Sequence, residues 1–107
     1  MKQRREHNRN LCAELLTIRW TDPDGRSRSE LASLEDISAT GACLQLELAI
    51  PLDTEISLHY STGKYEGKVK YCTYEEIGFV LGMAFDDGYR WSKTDFQPGH
   101  LLEIRQG

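Results

Sequence analysis

Apolar residues recur at every second position through most of this chain. Leu44, Leu46 and Leu48 alternate with Gln45 and Glu47, and Ile56, Leu58 and Tyr60 alternate with Ser57 and His59. A period of two is the signature of a strand with one buried face. Tyr65, Gly67, Val69 and Tyr71 alternate with Glu66, Lys68 and Lys70, which assigns those four to one side of a further strand. Over Ile77–Phe85 one face would carry Ile77, Phe79, Leu81, Met83 and Phe85, and the other Gly78, Val80, Gly82 and Ala84. With apolar or small residues on both faces, this strand is expected to be covered on both sides. Cys12–Trp20 and Arg28–Ile37 read as the first two strands.

The punctuation between these segments agrees. In Asp22-Pro23-Asp24-Gly25 the proline presets one φ and the glycine supplies a permissive one. Ala39-Thr40-Gly41, Pro51-Leu52-Asp53 and Ser61-Thr62-Gly63 supply further breaks. Short connections make consecutive antiparallel pairing the simplest topology. Six twisted strands close into a small barrel more easily than they remain an open sheet. The predicted fold is therefore all-β, a six-stranded antiparallel β-barrel. After Asp87-Gly88 the alternation stops: Trp91, Phe96, Leu101, Leu102 and Ile104 are apolar without a period, and Pro98-Gly99 divides them. A short C-terminal helical element packed over a barrel opening is expected there. Trp20 and Trp91 are assigned to core or cap, and Met83 and Phe85 to the core.

Charge changes this picture. The chain has 107 residues and a net charge of −4, a size that suits one domain. Residues 1–10 carry Lys2, Arg4, Arg5 and Arg9 against Glu6 alone, whereas residues 11–107 carry 9 basic and 16 acidic side chains. The division is thus a basic arm, 1–10, on an acidic barrel domain, 11–107. Uniformly basic nucleic-acid binders are not built this way, so no nucleic-acid partner is expected. Such an arm reads as a solvated tail, as the partner of a local anionic ligand, or as a contact with the acidic body itself.

Other classes fall away. The longest uncharged apolar run, Ile77–Phe85, is far short of the roughly 20 residues of a membrane-spanning helix, so no membrane insertion is expected. No signal-type apolar stretch follows the basic start, and Glu14 interrupts the nearest candidate. Cys12, Cys43 and Cys72 are odd in number and form no CxxC pair. They read as reduced, small, buried side chains in a cytoplasmic protein rather than as disulfides or a metal site. His7, His59 and His100 fall in no HExxH, GxSxG or P-loop pattern, so no catalytic residues and no metal are assigned.

Two short patterns remain. Arg4-Arg5-Glu6-His7-Asn8-Arg9 contains Arg5-x-x-x-Arg9, and Asp36-Ile37-Ser38-Ala39-Thr40-Gly41 reads D-x-S-x-x-G. Each alone is ordinary, the second being common turn chemistry. Together, about 30 residues apart and bracketing the first two strands of a small barrel, they are specific. The chain resembles the PilZ domain family, bacterial receptors for the second messenger cyclic di-GMP. The resemblance spans RREHNR, EDISATGACL and GKVKYCTYEEIGFVLGMAF, the last with its Gly82-x-x-Phe85 strand. It implies a PilZ-like split barrel of six strands with a C-terminal helical element, and cyclic di-GMP as ligand with no other cofactor.

The resemblance also implies a site. Arg5 and Arg9, joined by Arg4, would meet guanine O6 and N7 and the phosphates, since the arginine fork matches both. Asp36 would accept from guanine N1–H and N2–H, and Ser38 would add a hydroxyl contact. Gly41 would supply a positive φ or a close approach of the chain to the ligand. Tyr71 would stack on a guanine, or else serve as an ordinary cross-strand aromatic. Lys68 and Lys70 could add a phosphate contact or simply be solvated. The arm, expected to be mobile without ligand, would be ordered by it and change the surface seen by an unidentified downstream protein. The oligomeric state fits a monomer or a weak dimer. Two other readings compete: a PilZ-like protein-interaction module that does not bind nucleotide, and a nucleic-acid binder using the arm.

Overall fold

The computed structural model describes residues 9–103. Seven strands form one antiparallel sheet: β1 (Asn10–Thr21), β2 (Ser27–Ser38), β3 (Gly41–Leu46), β4 (Glu55–Tyr60), β5 (Gly63–Glu75), β6 (Gly78–Phe85) and the two-residue β7 (Leu102–Glu103). The first six close a barrel in the order β1-β2-β3-β6-β5-β4 and back to β1, and β7 pairs with the start of β1. All pairings are antiparallel.

The strand count and barrel match the expectation from periodicity, but the order is not consecutive. β3 pairs with β6, and β4 with β1 through Thr17–Trp20. The reason lies in the β3–β4 connection. It spans eight residues, 47–54, too long for a tight hairpin. It crosses one barrel end instead, with Ile50 buried as a plug. The interior is filled by Ile18, Leu34, Leu44, Ile56, Leu58, Val69 and Leu81, none more than 1% exposed.

The C-terminal segment differs from the helix expected. Residues 86–101 form turns, and no helix occurs among the described residues. Phe96 N–H donates to the Ser92 carbonyl at 3.3 Å, one helix-like turn that goes no further. The segment still caps an opening. Trp91 and Phe96 are buried, the Trp91 indole N–H donates to the Phe96 carbonyl at 2.7 Å, and Phe96 stacks on Tyr60 at 4.8 Å. Gly99 ties the segment to β1: its N–H donates to Glu14 Oε1 at 2.6 Å, and its carbonyl accepts from Ala13 N–H at 2.9 Å. Among the described residues no helix is long and apolar enough to cross a membrane.

Candidate ligand-binding site

Two β-bulges build the candidate site. In β2 the register against β3 slips between Leu34 and Asp36, leaving Glu35 as an extra residue. In β5 the register against β6 slips between Val69 and Tyr71, leaving Lys70 as the extra one. A bulge shifts the alternation by one place. Leu34 and Ile37 therefore both face the core, and Asp36 turns outward. In the same way Val69 stays inside, Cys72 packs against the core, and Tyr71 turns outward, 47% exposed. Strict alternation places Tyr71 beside Tyr65, Gly67 and Val69, so the structure corrects that assignment.

Between these two strands run β3 and β6, in register throughout. One outward row crosses all four strands as Asp36, Cys43, Gly82 and Tyr71. The Tyr71 ring lies directly over Gly82, in space that a Cβ there would claim. Its hydroxyl donates to Cys43 Sγ at 3.7 Å, a weak bond to a polarisable acceptor. Burial, and then this contact, push the Tyr71 phenol up to about 12, so it stays neutral and keeps its proton to donate. Burial likewise raises the Cys43 thiol, although the Tyr71 hydrogen bond pulls it down. Tyr71 is thus a flat aromatic surface laid against the barrel wall. Glycine within a strand marks such close approaches, and Gly82 is the sequence signal of this one.

The next outward row is Ser38, Gly41, Ala84 and Lys68. Ser38 Oγ accepts from Thr40 N–H at 3.3 Å and lies 3.5 Å from the Gly41 carbonyl, which fixes the β2–β3 turn. Gly41 has no positive φ. A Cβ there would stand 2.5 Å from the Met83 carbonyl oxygen, so its reason is the close approach of β3 to β6. The C-terminal segment and the end of β6 brace the same turn: Trp91 N–H donates to the Ala39 carbonyl at 3.1 Å, and Phe85 N–H to the Thr40 carbonyl at 2.8 Å.

Arg9 closes one side. Its Nη2 lies 3.0 Å from Asp36 Oδ2, with the arginine half exposed and the carboxylate 15% exposed. Arg9, Asp36, Ser38, Gly41 and Tyr71 line a single cleft of about 370 Å³, together with Cys43, Lys70 and Gly82. Arg4 and Arg5 lie outside the described residues. Lys68 is directed elsewhere, with Nζ 3.2 Å from Glu55 and 3.5 Å from Asp86, which raise its pKa. Lys70 stays exposed at the cleft edge. The cleft therefore offers a guanidinium, a carboxylate, a hydroxyl and an aromatic face to one small ligand. Among the described residues the grouping nearest to a metal site is Glu55, Glu66 and Asp86, with ligand atoms within 4.8 Å, and the Lys68 ammonium already sits against two of them.

The cysteines are all free and partly buried, less enclosed than expected. Ile77, expected on the core face of β6, precedes that strand and is exposed. Gly78, at φ +139°, turns the chain there, where a side chain would press on the Leu46 carbonyl.

Comparison with known proteins follows the same lines. The family model for the PilZ domain matches residues 3–104. No curated protein matches the sequence. Among solved structures, the PilZ domain with c-di-GMP of YcgR from Escherichia coli is similar, with TM-score 0.57, 15% identity and 79% of each chain covered.

Proposed function

Because the chain belongs to the PilZ domain family, and so is a binding domain and not an enzyme, we propose that its cleft binds cyclic di-GMP. The observation that carries this is the convergence of Arg9, Asp36, Ser38, Gly41 and Tyr71, drawn from four separate segments, on one cleft. The similar domain of YcgR is described with c-di-GMP. The Arg9 fork would take guanine O6 and N7 or a phosphate. Asp36 would accept from the Watson–Crick edge of a guanine, Ser38 would contact the base amine or a phosphate oxygen, and Tyr71 would stack. Arg4 and Arg5 would come from the arm to complete the cation set.

An exposed ion pair contributes only about 0–1 kcal/mol, so opening Arg9–Asp36 for a ligand that meets both partners costs little. Ordering the arm costs about 1–2 kcal/mol per residue, while a micromolar ligand leaves about 8 kcal/mol net. Every arginine contact is therefore needed. Binding would draw the arm across the cleft and create the surface that a downstream protein reads. Free, partly buried thiols are compatible with a reducing compartment, and we place the protein in the cytoplasm.

The test is calorimetric titration with cyclic di-GMP, GTP and cyclic GMP, repeated on Arg5→Ala and Asp36→Ala. Micromolar or tighter binding of cyclic di-GMP alone, lost in both variants, is the expected outcome. Its stoichiometry distinguishes one ligand molecule from a stacked pair. Folded protein that gives no heat with cyclic di-GMP would sink the receptor reading in favour of an interaction module.

A further inference from the structure

One step along the strands from the nucleotide cleft, the outer wall changes character. The outward row there is Leu15, Ser33, Gln45, Val80 and Thr73. Leu15, Leu31 and Ile77 stand 67%, 61% and 75% exposed on this face. They line a groove of about 390 Å³, bounded by Glu30 and Glu47. A second groove of about 430 Å³ adjoins it, sharing Gln45 and Ile77, and adds Glu35, Glu75 and Glu76. No lysine or arginine lines either groove among the described residues. Gln45 Nε2 donates to the Ile77 carbonyl at 3.2 Å, which holds Ile77 against the wall between them. A clustered apolar patch with a polar rim marks an interaction surface, whereas scattered exposed leucines do not.

We propose that this face docks a cationic amphipathic segment of another protein. Its apolar side chains would seat among Leu15, Leu31 and Ile77, and its lysines or arginines would meet the glutamate rim. Charge selects this occupant. Two copies of the chain facing each other here would set one five-glutamate rim against another, which opposes self-association through this face. Anionic lipid and nucleic acid are repelled for the same reason. Strand addition is closed off as well, because β2, β3 and β6 each have a neighbour on both sides. A partner must therefore be read through side chains. Cys43 lines both this face and the nucleotide cleft, so a docked segment would lie next to any bound nucleotide.

The experiment uses the full chain with labelled leucine and isoleucine methyl groups and no nucleotide, so its result is independent of the cyclic di-GMP reading. The probe is a synthetic helix of about five turns, leucine along one face and lysine along the other. A counter-probe carries glutamate in place of lysine. We expect saturable methyl shifts at Leu15, Leu31 and Ile77 with the lysine helix, at least about tenfold weaker with the glutamate helix, and weakened by added salt. Glu30→Lys combined with Glu47→Lys should cut affinity for the lysine helix by about tenfold without changing the melting temperature. Equal response to both helices, shifts elsewhere with these three residues unmoved, or no saturation would overturn the proposal. Concentration-dependent shifts of these methyls without any probe would overturn it too, in favour of a second copy.

Discussion

Two neighbouring outward rows cross the same four strands, two residues apart along β3, β5 and β6, with opposite chemistry. Asp36, Cys43, Gly82 and Tyr71 make a concave floor with a carboxylate at one end and an aromatic ring at the other. Ser33, Gln45, Val80 and Thr73 make the other row, and the first three line grooves shared with exposed leucine and isoleucine side chains and an acidic rim. Between them, facing inward, lies Leu34, Leu44, Leu81 and Cys72. The difference is made by the bulges at Glu35 and Lys70. In a strictly alternating β2 and β5, Asp36 and Tyr71 would point into the core. Two inserted residues, and no change in fold, put a carboxylate and a ring on the outside next to a glycine.

The most drastic way to probe this arrangement is to attack the row between the two faces. Leu34 is fully buried, and Leu34→Ala should cost about 2–5 kcal/mol of stability by urea denaturation. The protein that remains folded should still bind cyclic di-GMP as the wild type does. A loss of affinity without loss of stability would mean that core and cleft are not separable.

Next comes the aromatic end of the floor. Tyr71→Ala should weaken cyclic di-GMP by about 1–3 kcal/mol if one base stacks there, whereas Tyr71→Phe should keep most of the affinity. Equal loss in both variants would give the role to the hydroxyl bonded to Cys43 instead. A smaller effect is expected at the glycine beneath. Gly82→Ala would push the ring off the wall, and we expect about a tenfold weaker ligand, or roughly 1.4 kcal/mol, with the melting temperature nearly unchanged because only the flexible ring must move. Unchanged affinity would separate the seating of the ring from binding.

The smallest effect lies on β4, remote from both rows. Burial, and then Arg19 and Lys64, hold the His59 pKa below its usual 6.5. In the window between that lowered value and 6.5 the unfolded chain binds more protons than the folded one, so stability should fall as pH drops through it. Denaturation curves at stepped pH should show a shallower acid slope for His59→Gln, with cyclic di-GMP binding at neutral pH untouched.

Much of this was legible beforehand. The period of two located the strands because one face of each meets a packed interior, and the D-x-S-x-x-G pattern located the turn because Ser38 bonds its backbone. What was hidden is what depends on partners distant in sequence. The pairing of β3 with β6 follows from how a long connection crosses the barrel, which no local pattern reports. The outward turn of Tyr71 depends on a bulge defined only against β6. The final segment lacked a period because its residues cap an opening rather than line a face. Trp91 is legible as a core or cap residue and Phe96 as apolar, whereas the single helix-like turn between them depends on packing that no local pattern reports.

The tether between Gly99 and Glu14 spans 85 residues. During synthesis β1 must wait for β4 to close the ring, and the Ala39–Thr40 turn must wait longer for Trp91 and its neighbours to arrive. Contacts this distant in sequence slow folding, because a long loop must close before they can form. A nascent chain that has reached Phe85 but not Trp91 would thus hold all six barrel strands without the Trp91 brace on the Ala39–Thr40 turn. The turn that carries Ser38 is then braced only after every barrel strand has been made, so products cut short before Trp91 would carry that turn unsupported.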